Sequence, residues 1–113
     1  MTRKALTGPT VFIEDPGVTN LGAVTEDTDG DKVDTRWYSR KSVFITVTGN
    51  TGAVTVNIEA SHNGTDFFNL ASKTYTATNG TDIYSYESYF PYMRTTTTTQ
   101  SVSTVSTVIT GRS

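Results

Sequence analysis

Residues 43–70 read Val43-Phe44-Ile45-Thr46-Val47-Thr48, then Gly49-Asn50-Thr51-Gly52, then Ala53-Val54-Thr55-Val56-Asn57-Ile58-Glu59-Ala60, then Ser61-His62-Asn63-Gly64-Thr65-Asp66-Phe67-Phe68-Asn69-Leu70. Two runs of apolar/polar alternation flank a Gly/Asn turn, and an Asn-Gly turn follows. A period of two puts Val43, Ile45 and Val47 on one face of their strand and Val54, Val56 and Ile58 on one face of theirs. The spacing predicts a three-stranded antiparallel meander. A two-residue turn at Asn50-Thr51 would pair Val47 with Val54, Ile45 with Val56 and Val43 with Ile58, each apolar residue opposite another. For the second hairpin, a two-residue turn at Asn63-Gly64 would pair Ala60 with Phe67 and leave Phe68 and Leu70 outside. An odd loop over His62–Asp66 with a glycine bulge pairs Ala60 with Phe68 and Ile58 with Leu70. We prefer the odd loop because it buries two large apolar groups; it leaves Phe67 on the opposite face, needing a partner of its own.

Outward from this stretch, the remainder is also strand-like. Val11-Phe12-Ile13 is a short strand stopped by Asp15-Pro16-Gly17, and residues 18–24 form a second, weaker one. Glu26 to Asp34 is an acidic loop, and Arg36-Trp37-Tyr38-Ser39-Arg40-Lys41 sets aromatics between cations. Lys73 to Ala77 reads as a strand closed by Thr78-Asn79-Gly80-Thr81. An aromatic block follows, Ile83 to Tyr86 and Tyr89 to Met93, bent or placed at an edge by Pro91. Thr95 to Thr99 reads as extended with a weak face preference, and Val102 to Ile109 as the last strand. No 3.6-residue apolar period persists for three turns. The expected fold is all-β: an antiparallel β-sandwich or jelly roll of about seven to eight strands in a single domain, residues 10–113, with an extended N-terminal arm over residues 1–9.

Composition narrows the function classes. The 113 residues carry a formal charge of −2, so no basic field is available to grip a phosphate backbone. Hydrophobic residues are only 35%, but about one residue in five is threonine, which suits a half-exposed pleated surface. With no cysteine, disulfides, thiolate nucleophiles and cysteine-ligated zinc are excluded. Stability must come from the core or from neighbouring subunits. No stretch has the length of a signal peptide's apolar core or of a membrane span, so neither export nor a membrane partner is expected.

Candidate chemistry is sparse. The single histidine, His62, sits at a hairpin tip, where neither packing nor a third group would hold it as a base. The acidic residues cluster in one loop rather than in an aromatic cleft, which argues against paired glycosidase carboxylates. Asp27, Asp29 and Asp31 alternate around Gly30, and hard oxygen ligands at alternate positions suit Ca²⁺. The EF-hand order is not met, because the glycine falls between the second and third aspartates. Asn63-Gly64-Thr65 and Asn79-Gly80-Thr81 match the glycosylation sequon, but turn chemistry accounts for both Asn-Gly pairs. Trp37, Tyr38, Tyr84, Tyr86, Tyr89, Phe90 and Tyr92 could stack on sugar; in a chain poor in leucine and isoleucine they are expected to fill the core ends and an interface instead.

Ser61-His62-Asn63-Gly64-Thr65-Asp66-Phe67-Phe68-Asn69-Leu70 resembles a hairpin of small β-sandwich virion proteins of tailed bacterial and archaeal viruses, and of some sugar-binding sandwich domains. Its pattern is Ser, any residue, Asp or Asn, Gly, two residues, an aromatic, two residues, Leu, with Phe67 here where tryptophan is commoner. Tyr92-Met93-Arg94 is similar to the aromatic-x-Arg strand that follows in those domains. The resemblance spans roughly residues 43–95. It implies a sandwich without enzymatic activity or cofactor, made in a host cytoplasm and assembled into a virion as a capsid-decoration, head–tail or tail component. Partners would be other virion proteins and further copies of the chain. Interfaces centre on aromatic and arginine anchors, and Trp37, Phe67, Tyr92 and Arg94 are the candidates. A carbohydrate-binding module or a surface adhesion module is the alternative.

Overall fold

The computed structural model describes residues 10–14 and 16–113. The expected arm, residues 1–9, lies outside them, as does Asp15. The strands are β1 Val11–Phe12, β2 Val18–Val24, β3 Val33–Asp34, β4 Arg40–Thr48, β5 Ala53–Ser61, β6 Phe67–Thr76, β7 Gly80–Tyr86, β8 Tyr92–Thr98 and β9 Thr104–Arg112. They form a five-stranded sheet of order β1-β3-β8-β5-β6 and a four-stranded sheet of order β2-β9-β4-β7. The described residues contain no helix, and so none long and apolar enough to cross a membrane.

The pairing pattern has a simple origin. β5 pairs with β6, β4 with β7, β3 with β8 and β2 with β9, all antiparallel. That is one long hairpin whose tip is the loop between β5 and β6. Rolling the ribbon brings β9 against β4 and β8 against β5 and divides it into two facing sheets. The fold is thus a β-sandwich with jelly-roll strand order, extended at one edge by the two-residue parallel contact of β1 with β3.

This topology overturns the expected meander. β4 and β5 lie in different sheets, and Gly49–Gly52 is an arch between the sheets rather than a hairpin turn. Val43, Ile45 and Val47 do face the same interior as Val54, Val56 and Ile58, all at most 1% exposed, but across the sandwich instead of across a ladder. Period two specifies which face is apolar; it does not say whether two apolar faces meet as neighbours in one sheet or as opposing sheets. The arch is held by Asn50. Its backbone N–H donates to Asn79 Oδ1 at 3.0 Å, and its Nδ2 donates to the carbonyls of Tyr75 at 3.1 Å and Thr78 at 2.9 Å. Gly49 takes φ +59°, in the left-handed region that glycine enters without cost.

The second hairpin exists, with the odd loop. Ala60 pairs with Phe68 and Ser61 with Phe67, but a register shift between Ile58 and Glu59 sets Ala71, not Leu70, opposite Ile58. Phe68 is not buried as expected. It is 62% exposed on an edge strand and stacks on His62 with ring centroids 6.5 Å apart. Lys73 to Ala77 is not a separate strand; β6 runs unbroken from Phe67 to Thr76. The threonine run is not marginal either. It forms most of β8, between β3 and β5, with Thr95, Thr96 and Thr97 fully buried.

Two of the core threonines make the interior partly polar. Thr95 Oγ1 donates to Asn20 Oδ1 at 2.7 Å, so the 2.6 Å contact between the Thr95 and Thr107 hydroxyls has Thr107 as donor. Thr107 Oγ1 in turn accepts the Leu21 N–H at 3.0 Å. Every proton in this chain has one place to go. β2, β8 and β9 are thereby joined through groups that would be costly to bury unpaired.

Candidate functional site

The outer face of the five-stranded sheet is graded along its strands. Residues of β5 alternate, so Val54, Val56, Ile58 and Ala60 point inward while Thr55, Asn57, Glu59 and Ser61 point outward. At one end the outward rows are hydroxyls and amides: Thr55 bonds Thr74 at 2.9 Å, and Asn57 bonds Thr96 at 3.2 Å and Ser72 at 2.7 Å. Toward the hairpin tip the chemistry changes. One row reads Arg94, Glu59, Asn69 across β8, β5 and β6, and the next reads Asp34, Tyr92, Ser61, Phe67 across β3, β8, β5 and β6.

Two carboxylate–arginine pairs organise this end. Arg94 Nε donates to Glu59 Oε1 at 2.8 Å, with both side chains buried, and its guanidinium lies 4.2 Å from the Phe67 ring centroid. Phe67, left without a partner by the hairpin register, is the aromatic lid on this ion pair. Asp34 is buried at the end of β3. Arg36, two residues on, donates to it from its backbone N–H at 3.0 Å, from Nε at 3.1 Å and from Nη2 at 2.7 Å. These bonds hold the Asp34 carboxyl below the usual carboxylate range, against the opposing effect of burial. The Arg36 guanidinium also lies 5.8 Å from the Trp37 ring centroid and 5.7 Å from that of Tyr92. Trp37 is 75% exposed.

The loop between β5 and β6 braces this end. Ser61 Oγ accepts the Gly64 N–H at 2.9 Å, and Asn63 Oδ1 accepts the N–H groups of Thr65 and Asp66 at 2.8 and 2.9 Å. Gly64, at φ +78°, lies against the Tyr92 ring, where an added Cβ would come within 3.4 Å. The Ser-x-Asn-Gly pattern therefore has a local physical cause, with side-chain acceptors closing a tight turn.

Of the four expected interface residues, Trp37, Phe67 and Tyr92 reach the surface at this one end of one sheet face. Arg94 is only 2% exposed, because Glu59 and the Phe67 ring cover it, and it supports the surface from below. The sequence reasoning missed Asp34, Arg36 and Glu59, which fix them. A signal existed: an aspartate side chain readily accepts the N–H two residues on as a strand enters a turn, so Asp34 was placed to bond Arg36. The wider aromatic group does not form one platform. Tyr84 and Tyr86 pack against the core, Phe90 sits edge-on to Tyr86 at 6.0 Å, and Tyr38 donates its O–H to the Ile13 carbonyl. Lys41 is buried among them, donating to the carbonyls of Tyr38 and Ser88, and burial lowers its pKa.

The β2–β3 loop is tied to the elements around it through the Asp27 side chain and the backbone of Asp29 and Asp31. Asp27 accepts the Gln100 N–H at 2.8 Å, Asp29 bridges to Thr96, and the Asp31 carbonyl accepts from Asn20. Among the described residues no three His, Cys, Asp or Glu side chains are grouped to hold a metal ion. His62 has Phe68 as its ring neighbour.

Chemically, the Trp37–Phe67 end offers aromatic surface around charges that cancel, Arg36 and Arg94 against Asp34 and Glu59. Its guanidiniums are clamped before any partner arrives, so little side-chain freedom remains to be lost on binding. The Tyr92 and Phe67 rings each already carry a guanidinium on one face, which leaves less ring face for stacking a sugar. No family model matches the chain, and no curated protein matches it.

Proposed function

We propose that the protein is a non-enzymatic virion component, a capsid-decoration or head–tail accessory protein, that docks on a neighbouring virion subunit through the Trp37–Tyr92–Phe67 surface, with Arg94 bracing Phe67 from beneath. The observation that carries this reading is the convergence of Trp37, Tyr92 and Phe67 on one sheet end preorganised by Arg36 and Arg94, with exposed Trp37 beside Arg36. Tryptophan, tyrosine and arginine are the residues on which binding energy concentrates at protein interfaces. The jelly-roll strand order supports it as a fold that virion shells use, although lectin-like domains use it too.

The test is co-sedimentation with capsids or tails assembled from the structural genes that neighbour this one. Saturable binding that Trp37→Ala weakens about 30-fold or more, the loss of one ~2 kcal/mol anchor, is the expected result. The side chain is exposed, so the melting temperature should stay within a degree or two. Absence of binding to any such particle, or binding indifferent to Trp37→Ala and Tyr92→Ala, refutes the proposal. Specific glycan binding lost with Trp37→Ala would favour the carbohydrate-binding alternative.

A further inference from the structure

The four sheet edges are not alike. β1 offers two residues and runs parallel to β3. β2 follows β9 with register shifts on both sides of Leu21. β6 faces a register shift at Ile58–Glu59 and carries Lys73. Short strands, irregular pairing and lysines are the devices that keep an edge from recruiting another chain. β7 has none of them. Its seven residues pair with β4 without a break from Gly80 to Tyr86, and it contains no proline, lysine or arginine. Its one charge, Asp82, is opposite inward-facing Ile45, and its carboxylate accepts the Tyr75 O–H. The outward residues are Thr81, Ile83 and Ser85. Ile83 is 63% exposed and sits opposite Phe44, which is 40% exposed and opposite Val108. An apolar row on the outer face of the four-stranded sheet therefore ends at a regular edge that no other described strand covers.

We infer that β7 is where a second copy of this chain attaches, antiparallel to its counterpart about a two-fold axis normal to the sheet at Ile83, so that two four-stranded sheets become one of eight. The chemistry of the strand selects that register. An axis at Asp82 would set two carboxylates against each other, and an axis at Tyr84 would set Ile83 against Ser85. An axis at Ile83 pairs it with its own copy and Thr81 with Ser85, so the row runs Val108, Phe44, Ile83 and then the same three residues in reverse. A strand that meets itself without opposed charges, and whose apolar row closes on its own copy, is self-complementary, as an isologous interface requires. This contact lies on the other sheet from the docking surface and does not depend on it. Seven paired residues span about 24 Å. That places the interface at the small end of specific ones and makes the dimer concentration-dependent.

The chain has no cysteine, so Ile83→Cys introduces its only thiol. Under mild oxidation this variant should form a disulfide dimer roughly tenfold or more faster than Phe68→Cys, an exposed position on the other sheet, because pairing raises the effective thiol concentration. Sedimentation of the wild type should show the mass rising from 12.3 kDa to twice that value between about 10 μM and 1 mM. Ile83→Lys should remain monomeric, with circular dichroism and melting unchanged. A wild type that stays monomeric at 1 mM overturns the inference. So does a dimer in which Ile83→Cys cross-links no faster than Phe68→Cys, or one that Ile83→Lys leaves intact.

Discussion

Replacing Asn50 by alanine tests whether residues 49–52 form an arch between sheets or a hairpin turn. The side chain is 6% exposed, and its Nδ2 supplies donors to two carbonyls on the β6–β7 side. Losing the donor breaks a buried hydrogen bond to the Tyr75 carbonyl, which still faces Val54 in the ladder, a cost of about 0.5–1.5 kcal/mol. Thr78 is exposed, and water can replace its bond at little cost. Asn50 Oδ1 is buried without a partner, so its removal gives back part of the loss. The net expectation is about 1 kcal/mol, or roughly 4 °C in Tm for a chain of this length. Asn50→Gly discriminates further. A hairpin turn would accept glycine with little penalty, whereas the arch loses the same two bonds. Thr51→Ala, at an exposed neighbour, should change stability by no more than about 0.5 kcal/mol. The assay is urea unfolding followed by far-UV circular dichroism, since the only tryptophan is exposed and reports the core poorly. If Asn50→Ala and Asn50→Gly both fall within about 0.5 kcal/mol of wild type, the side chain does not hold the arch.

Two other perturbations have definite signs. Arg94→Ala leaves the Glu59 carboxylate buried without its arginine and should cost about 3–5 kcal/mol in urea unfolding, while Glu59→Leu with Arg94→Met should cost less than half as much. Arg36 lowers the folded-state pKa of Asp34, so this group's contribution is fully present above its ordinary value of 3.8 and is lost as pH falls through that value toward the lower folded one. Asp34→Asn should flatten that part of the acid limb in stability measured between about pH 5 and pH 2.

The fold class and most strand positions were legible in the sequence because alternation marks one buried face. β2 was expected over residues 18–24 and is found at Val18–Val24. Pairing was less legible. The alternation of β4 and β5 is equally satisfied by a hairpin and by two facing sheets, and nothing local says that Asn50 will reach Tyr75 and Thr78. The burial of Thr95 to Thr97 was hidden for a related reason: threonine looks indifferent to environment until Asn20 and Thr107 supply partners for its hydroxyl. At the Trp37–Phe67 sheet end the aromatic and arginine residues could be chosen by residue type. Glu59, which fixes Arg94, could not, because the two meet only through the β5–β8 ladder. Phe68 misled because apolar character predicts burial only where an opposing surface covers the residue.

The rolled hairpin also sets an order of events during synthesis. The tip, β5 with β6, pairs residues close in sequence and can close as soon as it leaves the ribosome. β9 is the last strand to be made, yet it lies in the interior of its sheet between β2 and β4. Until it emerges, two strands made much earlier wait with open edges facing the gap it will fill. Closure of the four-stranded sheet is therefore a late, long-range step, and the nascent chain depends on slow aggregation rather than on local structure to survive until then.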